Sequence, residues 1–308
     1  MDIERNPDKE RERFRTIDLR PDPGEMLKPA ETVDIVGTED LTLHDKRVWN
    51  TLLHHAHSPK LGQLETKFKI PLSELKEGHM GNDRIIESIE RLMKTIVRYR
   101  DGNTVRRFQL LGGNDMEDSV RQQGYLTYSF DERLVELLAN STIFAKLKLE
   151  VLAAFSSKYA MALYEHVARR INLKHKWMQE YTVEELRGIL GVPDDKLKAF
   201  GSLKQKALDP AIQEINALAE FSVNMASKRT GKQITHVTMT WVWKDPASKA
   251  EAEAELSRPK AGRKARIRGT TEGVVEFDPD ALGLPDLTDE EAKRLRKKVT
   301  GGLGGYVA

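Results

Sequence analysis

Apolar positions are sparse over the first 36 residues and become periodic only from residue 41 onward. In "LTLHDKRVWNTLLHHA", Val48, Trp49, Leu52, Leu53 and Ala56 follow the i, i+1, i+4, i+5, i+8 spacing of an amphipathic helix. "LSEL" predicts a short helix opened by Ser73-Glu74-Leu75. Gly78 and Gly81 mark a turn, and Asn82 or Asp83 is the expected cap of a further helix carrying Ile85, Ile86, Ile89, Leu92 and Met93 on one face. Alternation through Val97 and Tyr99, a turn at Asp101-Gly102 and a return through Val105 and Phe108 predict a hairpin. "GYLTYSFDERLVELLA" adds a strand and a closing helix. Helix, helix, turn, helix, hairpin is the order of a winged helix.

The same order recurs. Leu163, Tyr164, Val167, Ala168 and Ile171 repeat the first apolar set 115 residues on. Ile212, Ile215, Leu218 and Val223 repeat Ile86, Ile89, Leu92 and Val97 at 126 residues. The change of offset places an insertion near "GVPDDKLKAFG". In "YTVEELRGILGV", Thr182 with Glu185 three positions on spells a capping box. Phe221, Val223 and Met225, a turn at Gly231, then Val237, Met239, Trp241 and Trp243 predict the second hairpin. The expected class is α+β, two tandem winged-helix domains with flexible N- and C-terminal extensions. The expected division is an arm over 1–36, a first winged helix over 37–144, a second over 145–244 and an extension over 245–308.

Charge sharpens this picture. The chain of 308 residues has a net charge of only +2 and no cysteine, which excludes disulfides and thiolate metal sites and suits the cytoplasm. No apolar run approaches the length of a bilayer span. The arm holds seven Lys/Arg against ten Asp/Glu, so the cationic excess lies between residues 37 and 244.

Its placement points to DNA. The segment "KAFGSLKQKALDP" opens the third helix of the second copy, the element that winged helices lay in the major groove. Lys198, Lys204 and Lys206 suit phosphates; Ser202, Gln205 and Gln213 suit base edges. Leu203, Ala207, Ile212 and Ile215 are the expected core face. Pro210 either kinks this helix or, behind an Asp209 cap, starts a new one. Lys228, Arg229 and Lys232 mark the hairpin tip. In the first copy the third helix mixes acids and bases, and Arg98, Arg100, Arg106 and Arg107 make its hairpin basic. That copy is expected to touch backbone and to form a protein–protein surface.

Enzymatic readings fare worse. His55-Ala56-His57 has the spelling of a metal site in DNA-nicking nucleases, but there the histidines share one face of a strand. On a helix, i and i+2 point about 200° apart. His54 and His57 share a face, yet no third ligand is evident nearby. Thr230-Gly231-Lys232-Gln233 lacks the first glycine and the hydroxyl residue of a phosphate loop. Tyr159 and Tyr164, candidate nucleophiles, lie on a helix where Tyr164 falls in the apolar stripe. No catalytic residue, metal or cofactor is expected.

"SSKYAMALYEHV", "YTVEELRGILGVP" and "FGSLKQKALDPAIQEINALAEFSV" resemble the plasmid replication initiators that bind iteron repeats. The likeness rests on Ser157-Lys158-Tyr159-Ala160, Leu163-Tyr164, Glu185-Leu186-Arg187, Leu208-Asp209-Pro210-Ala211 and Glu214-Ile215-Asn216. The resemblance implies tandem winged helices, sequence-specific binding of origin repeats by a monomer, and a homodimer that represses its own gene. It also implies host initiator and replicative helicase partners. It makes the second copy the major-groove reader and the first a site of dimerisation and backbone contact. The connection Gly112–Gln123 and the last 64 residues lie outside it. A tandem winged-helix transcriptional repressor without an initiator role is the alternative reading, and a metal-dependent nicking nuclease a more distant one. In the tail, "RPKAGRKARIR" over 258–268 holds six Lys/Arg and no acid, expected as a linker or an extra phosphate contact. "LTDEEAKRLRKKVTGG" predicts a short helix capped at Thr288.

Overall fold

The computed structural model describes residues 21–57, 66–76, 81–116, 124–173, 176–231 and 233–270. The helix expected behind Thr288 and the tip residue Lys232 lie outside them.

The first copy opens with β1 (Glu25–Pro29), a helical turn α1 (Ala30–Val33) and α2 (Leu43–His55). Thr42 and Asp45 form a capping box at the head of α2. Asp45 also accepts from Ser88 at 2.6 Å and from Arg91 at 2.9 and 3.0 Å, which ties α2 to α3 (Asn82–Lys94). Burial opposes the charge of Asp45, but the donors of Arg91, Ser88 and Thr42 outweigh it and hold its pKa low. The expected side-chain cap of α3 is absent: Gly81 occupies that position and Asn82 is already helical. Between α2 and α3 run β2 (Phe68–Pro71) and a 3₁₀ turn over Leu72–Leu75.

After α3 come β3 (Ile96–Asp101), β4 (Thr104–Gln109), β5 (Gly113–Met116), β6 (Tyr125–Ser129), α4 (Glu132–Ala139), β7 (Phe144–Lys148) and α5 (Leu149–Ala154). β3 and β4 form the predicted hairpin, with Gly102 at φ +56° in its turn. The added strand β6 does not join this ribbon. It pairs with β2 and β5, so the first wing is split into a ribbon and a three-stranded sheet.

The second copy holds α6 (Lys158–Ile171), β8 (Met178–Thr182), α7 (Val183–Leu190), α8 (Phe200–Leu203), α9 (Asp209–Leu218), β9 (Phe221–Thr230) and β10 (Gln233–Trp243). Its strands form one sheet in the order β8-β10-β9. The Thr182–Glu185 capping box is present at α7.

Two boundary expectations are corrected. Residues 25–36, expected within an arm either flexible or loosely docked, are a firmly paired part of the first copy: β1 pairs antiparallel with β7, and Met26, Leu27 and Ala30 are buried. The basic stretch 258–268 is folded rather than a linker. It follows α10 (Pro246–Ser257) and contains α11 (Arg263–Arg268), while Arg258, Arg263 and Arg266 all pair with Glu255. Three of its six cations are therefore ion-paired within the protein, Lys260 donates to the Ala153 carbonyl, and the Arg263 side chain is 8% exposed.

One hydrophobic core runs through both copies. Tyr164 is part of it, stacked on Phe221 at 5.5 Å, and its hydroxyl accepts from the Lys148 amide at 3.1 Å. A buried polar cluster links β1, α2 and α6: Lys28 donates to Glu165 at 2.7 Å and to Asn50 at 2.9 Å, and Asn50 donates to Glu165 at 2.8 Å. Segment 34–38 adds further ties. Asp34 pairs with Arg169 and Arg170 of α6, Val36 bridges Arg98 of β3, and Gly191, at a φ of +62° that favours glycine, packs closely against Thr38.

Candidate nucleic-acid interface

The third helix of the second copy is one continuous rod. α8 passes into a π turn over Lys204–Leu208 and then into α9. The helical turns run on through Pro210, which does not start a new helix. Asp209 has helical angles, φ −59° and ψ −46°, so it is not an N-cap. Pro210 has no N–H to give and its ring crowds the carbonyl four residues back. The wide turn immediately before it answers both constraints, with the Asp209 N–H donating to the Lys204 carbonyl.

One side of this rod is fully buried: Leu203, Ala207, Leu208, Ala211 and Ile215 are all at 0% exposure. Ile212 is partly buried against the same core. On the other side Lys204, Gln205, Lys206 and Gln213 are exposed and Ser202 is half-exposed; Lys198 is exposed in the loop leading in. Burial of each Leu or Ile side chain here is worth about 1.5–3 kcal/mol, which fixes the rotation of the rod and so which residues face out. The predicted set is thus brought together on one surface. Lys204 is not free within it, since its ammonium lies 2.6 and 2.8 Å from the two carboxylate oxygens of Asp209.

The residues that carried the family likeness build the frame under this surface. Arg187 donates to the carbonyls of Pro193, Lys196 and Leu197, which shapes the loop entering α8. Glu214 accepts from the Ser156 amide at 3.2 Å and from its hydroxyl, joining the rod to the start of α6. Asn216 grips both backbone groups of Val223, at 2.7 and 3.0 Å, and so fastens α9 to β9. Lys158 donates to the carbonyls of Glu39 and Leu41. Sequence reading missed these roles because every partner except Val223 and the α7 loop lies far along the chain.

The hairpin of the second copy carries Lys228 and Arg229 on β9, both exposed. Lys228 reaches Glu180 of β8 at 3.3 Å, which partly offsets its charge. In the first copy the register pairs Arg98 with Arg107 and Tyr99 with Arg106. Alternation then sets Arg98, Arg100 and Arg107 on one face of the ribbon. Arg106 lies on the other, at 3.2 Å from Glu136 of α4.

The histidine triplet sits at the end of α2, helical as expected. The Tyr128 hydroxyl donates to the Leu52 carbonyl at 2.7 Å, which leaves its oxygen to accept from His55 Nδ1 at 3.0 Å. Among the described residues no group of three or more side chains is arranged to hold a metal ion. No helix among them is long and apolar enough to cross a membrane.

Comparison with known proteins adds identity to this geometry. The family "Initiator Replication protein, WH1" matches residues 31–168, and "Initiator Rep protein, WH2" matches residues 182–241. Among solved structures, the crystal structure of Pi initiator protein in complex with iteron DNA is similar at a TM-score of 0.54 and 20% identity, covering 72% of this chain and 98% of that one. At that identity the likeness concerns the fold. A search of curated proteins finds no match. Two initiator modules matched in chain order, on two winged helices in the same order, give one conclusion: the chain belongs to the tandem winged-helix Rep family of plasmid replication initiators.

Proposed function

We propose that this protein starts replication of its plasmid by binding iteron repeats in duplex DNA at the origin, and that it represses its own gene. The observation that carries this reading is the rod over residues 200–218. Its aliphatic side is sealed in the core, and its lysines, glutamines and serine are presented outward on a cylinder of major-groove width. Lys198 and Lys206 neutralise phosphates, Ser202, Gln205 and Gln213 read base edges, and Arg229 with Lys228 meets the flanking backbone. Lys232, which the sequence pattern assigns to the hairpin tip, is proposed to join them. The first copy contributes Arg98, Arg100 and Arg107 to backbone contact, Arg106 in a lesser part, and a surface for the homodimer. Host initiator and helicase proteins act with it in the cytoplasm.

Binding alone is the protein's task here; it cuts no DNA and needs no metal or cofactor. On a helix end, with His55 engaged by Tyr128, the triplet's His55 and His57 do not share a face, and no third ligand joins His54 and His57 among the described residues.

The test has two arms. Duplexes selected by the purified protein from a random pool should match repeats beside its own gene. A replicon stripped of its initiator should be maintained when the gene is supplied in trans. Selection of a defined site without maintenance would leave a repressor. A nicked or covalently attached product would overturn the non-enzymatic reading.

A further inference from the structure

Asp209 lies within the proposed reading surface, where an acid is out of place. A carboxylate is repelled by every phosphate that approaches it, so it weakens binding to any duplex unless the duplex offers it a donor. Its presence is not explained by stability. Lys204 and Asp209 are 45% and 39% exposed, and exposed ion pairs contribute little to folding.

The geometry is specific to the π turn. Residues five apart on an ordinary α-helix point about 140° away from each other. The wide turn over Lys204–Leu208 brings them to one side, joined twice: Asp209 N–H to the Lys204 carbonyl, and the Lys204 ammonium to both Asp209 oxygens. Gln213, exposed, stands four residues beyond Asp209 on regular α-helix and therefore on the same stripe. The acid sits between two base-reading candidates, Gln205 and Gln213.

Resting on the groove-reading role proposed above, we propose that Asp209 is a specificity-determining residue. Its carboxylate accepts from an exocyclic amine in the major groove, the N4 amine of cytosine or the N6 amine of adenine, the donors a duplex displays there. At sites without such a donor it repels the DNA, so it discriminates by rejection as well as by attraction. By holding Lys204, it also keeps that ammonium on the base-facing stripe instead of free for any phosphate. The ion pair offsets the Lys204 charge, so that ammonium adds little to indiscriminate affinity.

Asp209→Asn tests this while keeping side-chain shape. Affinity is measured against a duplex selected by the parent protein from a random pool and against a scrambled duplex of the same composition. The variant should bind the scrambled duplex more tightly, lose about tenfold in selected-to-scrambled ratio, and depend more steeply on salt by about one counterion as Lys204 is released. An unchanged ratio, or equal weakening on both duplexes, would overturn the role. Gln205→Ala in the same assay separates this inference from the one beneath it. If Gln205→Ala lowers the ratio and Asp209→Asn does not, only the role of Asp209 falls; if neither does, the groove reading falls with it. Thermal unfolding of both variants should match the parent's, since the side chains changed are exposed; a folding loss confined to Asp209→Asn would mark a structural role and also overturn the proposal.

Discussion

His166 Nε2 lies 2.8 Å from the Tyr181 hydroxyl, and Arg170 approaches its Nδ1 at 3.1 Å. Burial first, then the charges of Arg170, Arg169 and Lys176, push its pKa well below the ordinary histidine value. The ring stays neutral in the fold, whereas in the unfolded chain it takes up a proton near pH ~6.5. Below that pH the unfolded chain binds more protons, so stability falls as pH falls; above it His166 contributes no slope. Asp45 acts in the same direction at lower pH, since its depressed pKa stabilises the fold above the unfolded value and that gain is lost on acidification. Melting temperature should therefore drop between about pH 7.5 and about pH 5.5, with His166→Gln showing a shallower drop than the parent. Equal slopes for the two proteins would remove His166 from this account.

Elements whose signals are local were legible in the sequence. The capping box at Thr182, the glycine turn of β3–β4 and the buried stripe of α9 depend on residues a few positions apart. The π turn was not, because pattern reading offered Pro210 only a kink or a new start and gave no sign of a lysine and an acid aligned five apart. The pairing of β6 with β2 was also hidden, since partners such as Ile70 and Leu126 are far apart in the chain. α10 escaped notice because its Ala/Glu sequence has no apolar stripe; Ala252 and Glu255 are its buried residues. The hairpin β9–β10 yields a prediction at this scale. Arg229→Ala should lower the salt slope of binding by about one counterion on any sequence, while Lys228→Ala, whose charge Glu180 partly offsets, should lower it by less. Titration across a range of salt concentrations measures both slopes, and a larger effect from Lys228 would argue against the wing's placement.

Across the whole molecule, the two copies are joined by more than the chain that connects them. The Lys28–Asn50–Glu165 cluster, Asp34 with Arg169 and Arg170, and Lys158 on the carbonyls of Glu39 and Leu41 tie segment 25–41 to α6. None of this was readable beforehand: charged side chains in a polar stretch look solvated until their buried partners are known. The tail was misread for the same reason, with Glu255 as the hidden partner of three arginines. What the sequence did carry was the sidedness of the rod over residues 200–218, and the proposal that its outward side reads DNA is the central claim. The natural chain has no cysteine, so single cysteines report from chosen positions without background. A photo-crosslinker attached through Gln205→Cys or Gln213→Cys should label bases of a selected duplex, while the same group at Val242→Cys, exposed elsewhere on the second copy, should not. Labelling from Val242 with none from 205 or 213 would contradict the account.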